Sequence, residues 1–451
     1  MKREISAKLL TWKSQKVRRP LILYGARQIG KTYTLKEFAA ENFHQYHYLN
    51  FEEDPKLAHL FEADLKVDRI IRDLSIYLEK NINVTQDILI LDEIQSCPKA
   101  LTSLKYFSEN MPELAVTAAG SLLGLELSPE SYPVGKVEQL HMYPMRFMEF
   151  LLACNDEQSY KYLIDFNFDS PISKPVHEKL LQRLKEYFIV GGMPNVIKTF
   201  IENYARGHFT AYELVREEQS RIIASVFADI AKHSGKENAM NISKTWQYMP
   251  SKLDSNYDGS SSRFRFKEIL PSKKRYQDFI GVLDWLEKAN LVIRVPMIDH
   301  FNIPLNSTIK ENIFKLYNYD VGILARLSNL SPKRILEHDY GRYKGFFVEN
   351  FIAQELRCIR NNLDLLVSWK SKDHEVEFIL SDRDGYPLPV EVKSGQSKNT
   401  TSLRKFIEQY KPKSKIIFSS DNFSKDAGNQ VYRLPLYLPV DKLINAKITS
   451  R

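Results

Sequence analysis

The sequence predicts an α/β protein of several domains, and three observations carry that prediction. The first is length: 451 residues exceed what a single hydrophobic core usually spans. The second is a series of short apolar runs in the N-terminal third, Leu21–Tyr24, 88–91 and 114–117, separated by stretches of helical period. Runs of this kind mark strands buried on both faces, and their alternation with helices implies a parallel sheet flanked by helices. The third is a C-terminal series of strand candidates lying between two helix candidates, which implies a second α/β domain after a helical middle.

Gly25, Ala26, Arg27, Gln28, Ile29, Gly30, Lys31 and Thr32 follow the first apolar run and open a helical stretch with apolar residues at Leu35, Phe38 and Ala39. Together they complete the pattern G-x-x-x-x-G-K-[ST] between a strand and a helix, the setting of a phosphate-binding loop. Glycine lets backbone N–H groups close around phosphate oxygens, and the helix N-terminus adds its partial positive charge. Lys31 is expected to reach the β and γ phosphates of ATP, and Thr32 to ligate Mg²⁺.

The run at 88–91 leads directly into Asp92 and Glu93. A buried parallel strand releases such acids at its carboxyl end, where ligands bind. Asp92 is expected to hold Mg²⁺ through its water shell, and Glu93 to orient or deprotonate the attacking water. An acid pair after a strand is otherwise a helix cap or a surface turn; the phosphate loop upstream tips the balance. The run at 114–117 leads to Gly120 and Ser121, where Ser121 either contacts the γ-phosphate or the attacking water, or caps a helix. YHYLNFEED supplies a further strand ending near Asn50 and Glu52.

These segments, GARQIGKT, ILILDEIQ and AAGSLLG, together with GKVEQLHMYPMRFMEFL and GGMPNVI, resemble the prokaryotic AAA-type ATP-binding proteins that carry a C-terminal domain of uncharacterised function. The resemblance runs over nearly the whole chain. It implies an ATPase core over 1–160, a winged-helix-like middle and a nuclease-like C-terminal fold. One departure concerns an arginine that the family usually carries after a glycine; here the pair is Gly135 and Lys136. Lysine lacks the planar fork with which an arginine stabilises transition-state charge. Arg146 is a nearby alternative, or else a surface residue.

Residues 161–235 have helical period, interrupted by VGGMPN, a helix stop and restart. They are expected to pack on the ATPase core, with the charges from Arg216 to Arg221 forming a solvated face. Residues 236–300 fit a helix-turn-helix with a wing: a second helix burying Tyr276, Phe279, Ile280, Leu283 and Leu286, then a strand at 291–295. Lys273, Lys274 and Arg275 stand where DNA contacts would lie, although winged helices also serve as protein-packing modules.

In 301–451, a helix in GRYKGFFVENFIAQELRCIR precedes three strand candidates, and SLRKFIEQYKP and SKIIFSS supply a helix and a strand. This order resembles the restriction-endonuclease-like fold. Its active members place an acid on the second strand, an acid and a lysine on the third, and often a glutamate on the first helix. Carried onto this chain, the set is Glu349, Glu377, Glu391 and Lys393, and it implies metal-assisted phosphodiester cleavage. The fold most often has Asp where Glu377 stands, and Mg²⁺ demands near-ideal octahedral geometry, so the longer side chain counts against activity. Glu375 and Glu377 also alternate with Val376 and Phe378 as in any half-exposed strand. Retention of the fold for binding protein or nucleic acid is the alternative.

Lys and Arg number 64 against 56 Asp and Glu, a formal charge of +8 that tolerates nucleic acid without singling it out. Cys97, Cys154 and Cys358 are far apart and form neither a disulfide framework nor a zinc grouping, which points to a reducing, cytoplasmic compartment. No segment approaches the roughly 20 apolar residues of a spanning helix, so no membrane partner is expected. The expected protein is a cytoplasmic AAA-type ATPase using ATP and Mg²⁺, with DNA one candidate partner. Its rivals are a slow nucleotide switch that presents the C-terminal domain to a protein partner or homo-oligomer, and an ATP-licensed nuclease.

Overall fold

The computed structural model describes residues 1–120, 133–253, 264, 269–270, 275–338, 343–359, 365–372, 374–381, 385–393, 401–428, 430–439 and 441. The chain divides into two compact units: Met1–Tyr143 with Lys288–Asn290, and Pro144–Glu287 with Leu291–Arg451.

In the first unit, strands β1 (Leu21–Tyr24), β2 (Tyr46–Asn50), β3 (Ile88–Asp92), β4 (Ala115–Gly120) and β5 (Glu138–His141) form one sheet in the order β2-β3-β4-β1-β5. Every neighbouring pair is parallel. Strands β1, β3 and β4 are buried along their whole length, which is why their sequences are continuous apolar runs. Edge strand β2 alternates instead. The helices Val67–Tyr77 and Pro98–Asn110 bury Ile70, Leu74, Leu101, Leu104 and Phe107 in one cluster with Leu89, Leu91 and Val116 of the sheet. Each such side chain contributes about 1.5–3 kcal/mol on burial, so this layer holds the sheet rigid beneath the loops.

Register levels the carboxyl ends: Tyr24 lies beside Gly120, and Asn50 beside Asp92. From β1 the chain passes through the helix Lys31–Asn42 to β2 on one side, whereas after β4 it next enters the sheet at β5, on the other side of β1. The boundary between β1 and β4 is therefore a topological switch point, and the crevice beyond its carboxyl ends is where ligands bind in such sheets.

In the second unit a mixed sheet runs in the order β12-β13-β11-β10-β9-β8-β6-β7. Its strands are β6 (Val292–Ile298), β7 (Phe314–Asn318), β8 (Val367–Ser371), β9 (His374–Ser381), β10 (Pro387–Val392), β11 (Lys415–Ser419), β12 (Ser424–Asp426) and β13 (Val431–Pro435). The strand expected as a wing is β6, and it belongs to this sheet, antiparallel to β7 and parallel to β8. The helix before it, Tyr276–Lys288, buries Phe279, Leu283 and Leu286 as expected, with Val282 and Trp285 beside them.

The helical stretch 161–235 shares its core with the C-terminal sheet's helix Tyr343–Ile359. Phe188 stands edge-on to Phe347 and Phe351, with ring centres 5.2 and 5.1 Å away, and Gln354 donates to the Tyr187 hydroxyl at 2.8 Å. The interruption at VGGMPN is structural. Gly191 has a φ of +78°, and a Cβ there would fall 2.4 Å from Asp320 Oδ1 and 2.8 Å from the Gly322 backbone. The Gly192 amide donates to Asp320 Oδ2 at 2.6 Å, tying the break in the helix to the start of the helix Val321–Leu327. Among the described residues no helix is long and apolar enough to cross a membrane.

Candidate functional site

The phosphate loop emerges from β1 and closes on the first turn of Lys31–Asn42. Gly30 precedes that helix in a left-handed conformation, φ 91°, which glycine adopts without strain. A Cβ on Gly25 would fall 2.3 Å from Ile29 Cδ1 and 2.4 Å from the Met142 carbonyl, so the loop has no room for a larger residue there. Lys31 lies across the loop, its ammonium donating to the carbonyls of Gly25 and Ala26 at 3.0 Å each. Thr32 Oγ1 donates to Asp92 Oδ2 at 2.6 Å, joining the loop to the end of β3.

Asp92 is buried, and Tyr48 of β2 reaches the same carboxylate oxygen, its hydroxyl donating at 2.9 Å. Burial, and then the charge of Asp92, push the Tyr48 phenol well above its ordinary range, which keeps it a donor. The Asn50 amide donates in turn to the Tyr48 hydroxyl at 3.2 Å. Glu93 is left-handed at φ 50°, uncommon for a residue with a Cβ, and its amide donates to Asp92 Oδ1 at 3.0 Å. Its carboxylate receives the Gln95 amide. Sequence reasoning missed Tyr48, because alternation along an edge strand carries no sign of a neighbour two strand positions further on. Ser121 lies outside the described residues.

The C-terminal candidates gather in the second unit, around a residue the sequence did not flag. Lys315 of β7 is buried, and its ammonium pairs with Glu349 Oε2 at 3.2 Å and with Glu375. The Tyr317 hydroxyl donates to the same Glu349 oxygen at 3.1 Å. Burial alone would pull Lys315 down, but Glu349 and Glu375 outweigh it and hold the ammonium well above its ordinary range. Just past β10, Lys393 pairs with Glu391 of that strand, whose other oxygen is buried without a hydrogen-bond partner. Glu377 receives the Val392 amide at 3.0 Å. Among the described residues no group of His, Cys, Asp and Glu is arranged to hold a metal ion.

Burial, and then Glu349, push the Glu377 carboxyl up to about 8. A carboxyl whose folded value is raised is protonated in the fold and ionised in the unfolded chain. Its stabilisation is present below the ordinary carboxylate range and lost as pH rises toward 8. Glu377→Gln, which keeps an acceptor for Val392, is expected to flatten the fall in melting temperature between pH 5 and 9. A variant melting curve that follows wild type across that window would refute the assignment.

Against protein families, residues 17–151 match the AAA domain. The matched segment holds the five-stranded parallel sheet and the loop at 25–32. Residues 181–334 and 344–437 match two domains of unknown function, DUF8612 and DUF4143. No curated protein matches the chain. Among solved structures, a Walker-type ATPase of Pyrococcus abyssi is 14% identical, with a TM-score of 0.46, covering 72% of this chain and 95% of that one. The ORC2 protein of Aeropyrum pernix in its ADP form is 14% identical, with a TM-score of 0.30, covering 76% and 94%. The RuvB Holliday junction branch migration motor of Thermotoga maritima is 15% identical, with a TM-score of 0.32, covering 66% and 90%.

Further contacts bear on the matched segment. Arg3, buried ahead of the matched segment, donates to the loop carbonyl of Ile29 at 2.8 Å and to the Tyr143 carbonyl at 2.7 Å, bracing the loop from beneath. Lys136 pairs with Glu109 at 2.9 Å. Arg146 is no surface residue. It is buried in the second unit, where Glu355 at 2.9 Å and Asp441 at 3.0 Å neutralise its guanidinium. Its amide and Glu149 complete a cap for the helix Phe147–Ala153, which explains the burial. Of the DNA-contact candidates, Arg275 is exposed, while Lys273 and Lys274 lie outside the described residues.

Proposed function

We propose that this chain is a Mg²⁺-dependent ATPase whose AAA domain holds ATP on residues 25–32. The observation that carries this reading is the 2.6 Å contact between Thr32 Oγ1 and Asp92 Oδ2, which brings together two oxygen ligands from motifs far apart in sequence. Oxygen donors of this kind suit Mg²⁺, and the crowded Gly25 position and Gly30 turn suit a loop that closes on phosphate. When bound, Mg²⁺ offsets phosphate charge. Lys31 adds its own charge to the β and γ phosphates, Tyr48 fixes the rotamer of Asp92, and Glu93 orients or deprotonates water.

Glu93→Gln tests the reading. It is expected to keep nucleotide binding while lowering phosphate release by about 100-fold or more, the usual scale for loss of a general base. Turnover at the wild-type rate would remove Glu93 from the chemistry. Stimulation of wild-type turnover by DNA would identify DNA as the partner. Turnover well below about 1 s⁻¹ without stimulation favours a nucleotide switch acting on a protein.

Lys315 favours a second reading, for the C-terminal unit. Helix Tyr343–Ile359, strands β9 and β10 and the residue after β10 carry Glu349, Glu377, Glu391 and Lys393 in the order of a restriction-endonuclease-like fold. A buried ammonium already compensates Glu349, so we assign this unit to binding, with DNA or a protein, rather than to metal-dependent cleavage.

A further inference from the structure

The helix His208–His233 packs with the helix Val321–Leu327 inside the second unit, and two arginines meet between them. Arg216 donates from Nη1 to Gln219 Oε1 and from Nη2 to the Leu330 carbonyl, both at 2.8 Å. Gln219 is itself fixed by the carbonyls of Ile189 and Val190, at 2.8 and 3.0 Å. Arg326 donates from Nε to Ser220 Oγ at 2.8 Å, and that hydroxyl donates to the Arg216 carbonyl at 2.7 Å. Arg326 is therefore anchored by one edge of its fork against the turn that carries Arg216.

All these acceptors are neutral. The neighbouring acids Glu217 and Glu218 pair with Arg221, at 3.8 and 3.0 Å. Among the described residues no carboxylate pairs with either Arg216 or Arg326. Burial, and then the charge of Arg326, pull Arg216 down to about 9, the mark of two like charges held together out of water. Half-buried guanidiniums normally find a carboxylate. Two that act on each other without one lower their mutual repulsion by taking an external anion, and perturbed groups of this kind gather at binding sites.

We propose that Arg216 and Arg326 form a binding site for a phosphate-type oxyanion, received by the terminal nitrogens of Arg326 and drawn by the charge of both. Arginine suits this ligand because two parallel N–H groups match two oxygens of a tetrahedral anion, which a lysine in the same place cannot do. Both arginines belong to the second unit and the phosphate loop to the first.

Calorimetric titration of the full chain with inorganic phosphate, at ionic strength matched with chloride, tests this. The titration uses a Lys31→Ala background so that the loop contributes no heat. Saturable binding of one phosphate is expected, weakened at least tenfold by Arg326→Gln and also weakened by Arg216→Gln, which removes one of the two charges. Melting temperature, read in parallel, is expected to rise with phosphate in the wild-type chain and less in Arg326→Gln. Absence of saturable binding, or equal binding by Arg326→Gln and its parent, overturns the proposal.

Discussion

Lys31→Ala is expected to lose ATP affinity by about 10- to 100-fold or more while the first unit stays folded. Hydrogen bonds to charged groups contribute about 1.5–3 kcal/mol each, and the ammonium addresses more than one phosphate oxygen. In the structure its nitrogen stands 3.0 Å from the Gly25 and Ala26 carbonyls, so it is already stationed across the mouth of the loop. The side chain is only half-buried and supports no core packing, so the variant should melt close to wild type. Calorimetry with ATP and Mg²⁺ separates the outcomes. Wild-type affinity in a folded Lys31→Ala protein would mean that nucleotide does not bind this loop. Paired with Glu93→Gln, the experiment divides the site into binding and turnover, because Glu93 touches Asp92 through its backbone and leaves its carboxylate to Gln95.

The parts of this molecule legible in the sequence are those encoded by contiguous residues. The loop from Gly25 to Thr32 and the acids after 88–91 announce themselves because a motif fixes backbone shape and side-chain chemistry in one short stretch. The buried strands are legible for the same reason: burial on both faces demands an unbroken apolar run. Tyr48 and Arg3 are not legible, since each acts through a partner brought to it by sheet register or by the fold of the first unit.

Lys315 is the sharpest case. FKLYN reads as a strand with a solvated lysine, and the residue becomes internal only when β6 and β7 pair and the helix Tyr343–Ile359 packs against them. Glu375 and Glu377, which simple alternation would have aimed at solvent, are recruited by that burial: Glu375 pairs with Lys315, and Glu377 accepts the Val392 amide. The strand expected at 291–295 is present as β6, but its neighbours were not legible, for a related reason. A strand's hydrophobic pattern states that it is covered, but not by which sheet, and β6 joins the C-terminal sheet through two residues paired with β8.

Lys315→Ala is therefore expected to be the most damaging single change in the second unit. Removing one member of a buried ion pair leaves the other charge unpaired at a cost of about 3–5 kcal/mol, and here the carboxylates of Glu349 and Glu375 are both left facing the gap. Trp246, Trp285 and Trp369 all lie in this unit, so urea unfolding followed by fluorescence reports on it directly. A loss below about 1 kcal/mol would show that the lysine is not the counter-charge of the cluster. The companion variant Lys315→Met with Glu349→Gln and Glu375→Gln should recover much of the loss, because removing all three charges together leaves no desolvated remnant. Manganese then decides between the two uses of the unit. If Lys315 closes the cluster to metal, Mn²⁺ leaves the wild-type unfolding curve unmoved and stabilises only Lys315→Ala, whose acids are free to take it. Stabilisation of the wild-type unit by Mn²⁺, abolished by Glu377→Gln, would mean that a cation enters beside Lys315, and the assignment of this unit to binding would give way to cleavage.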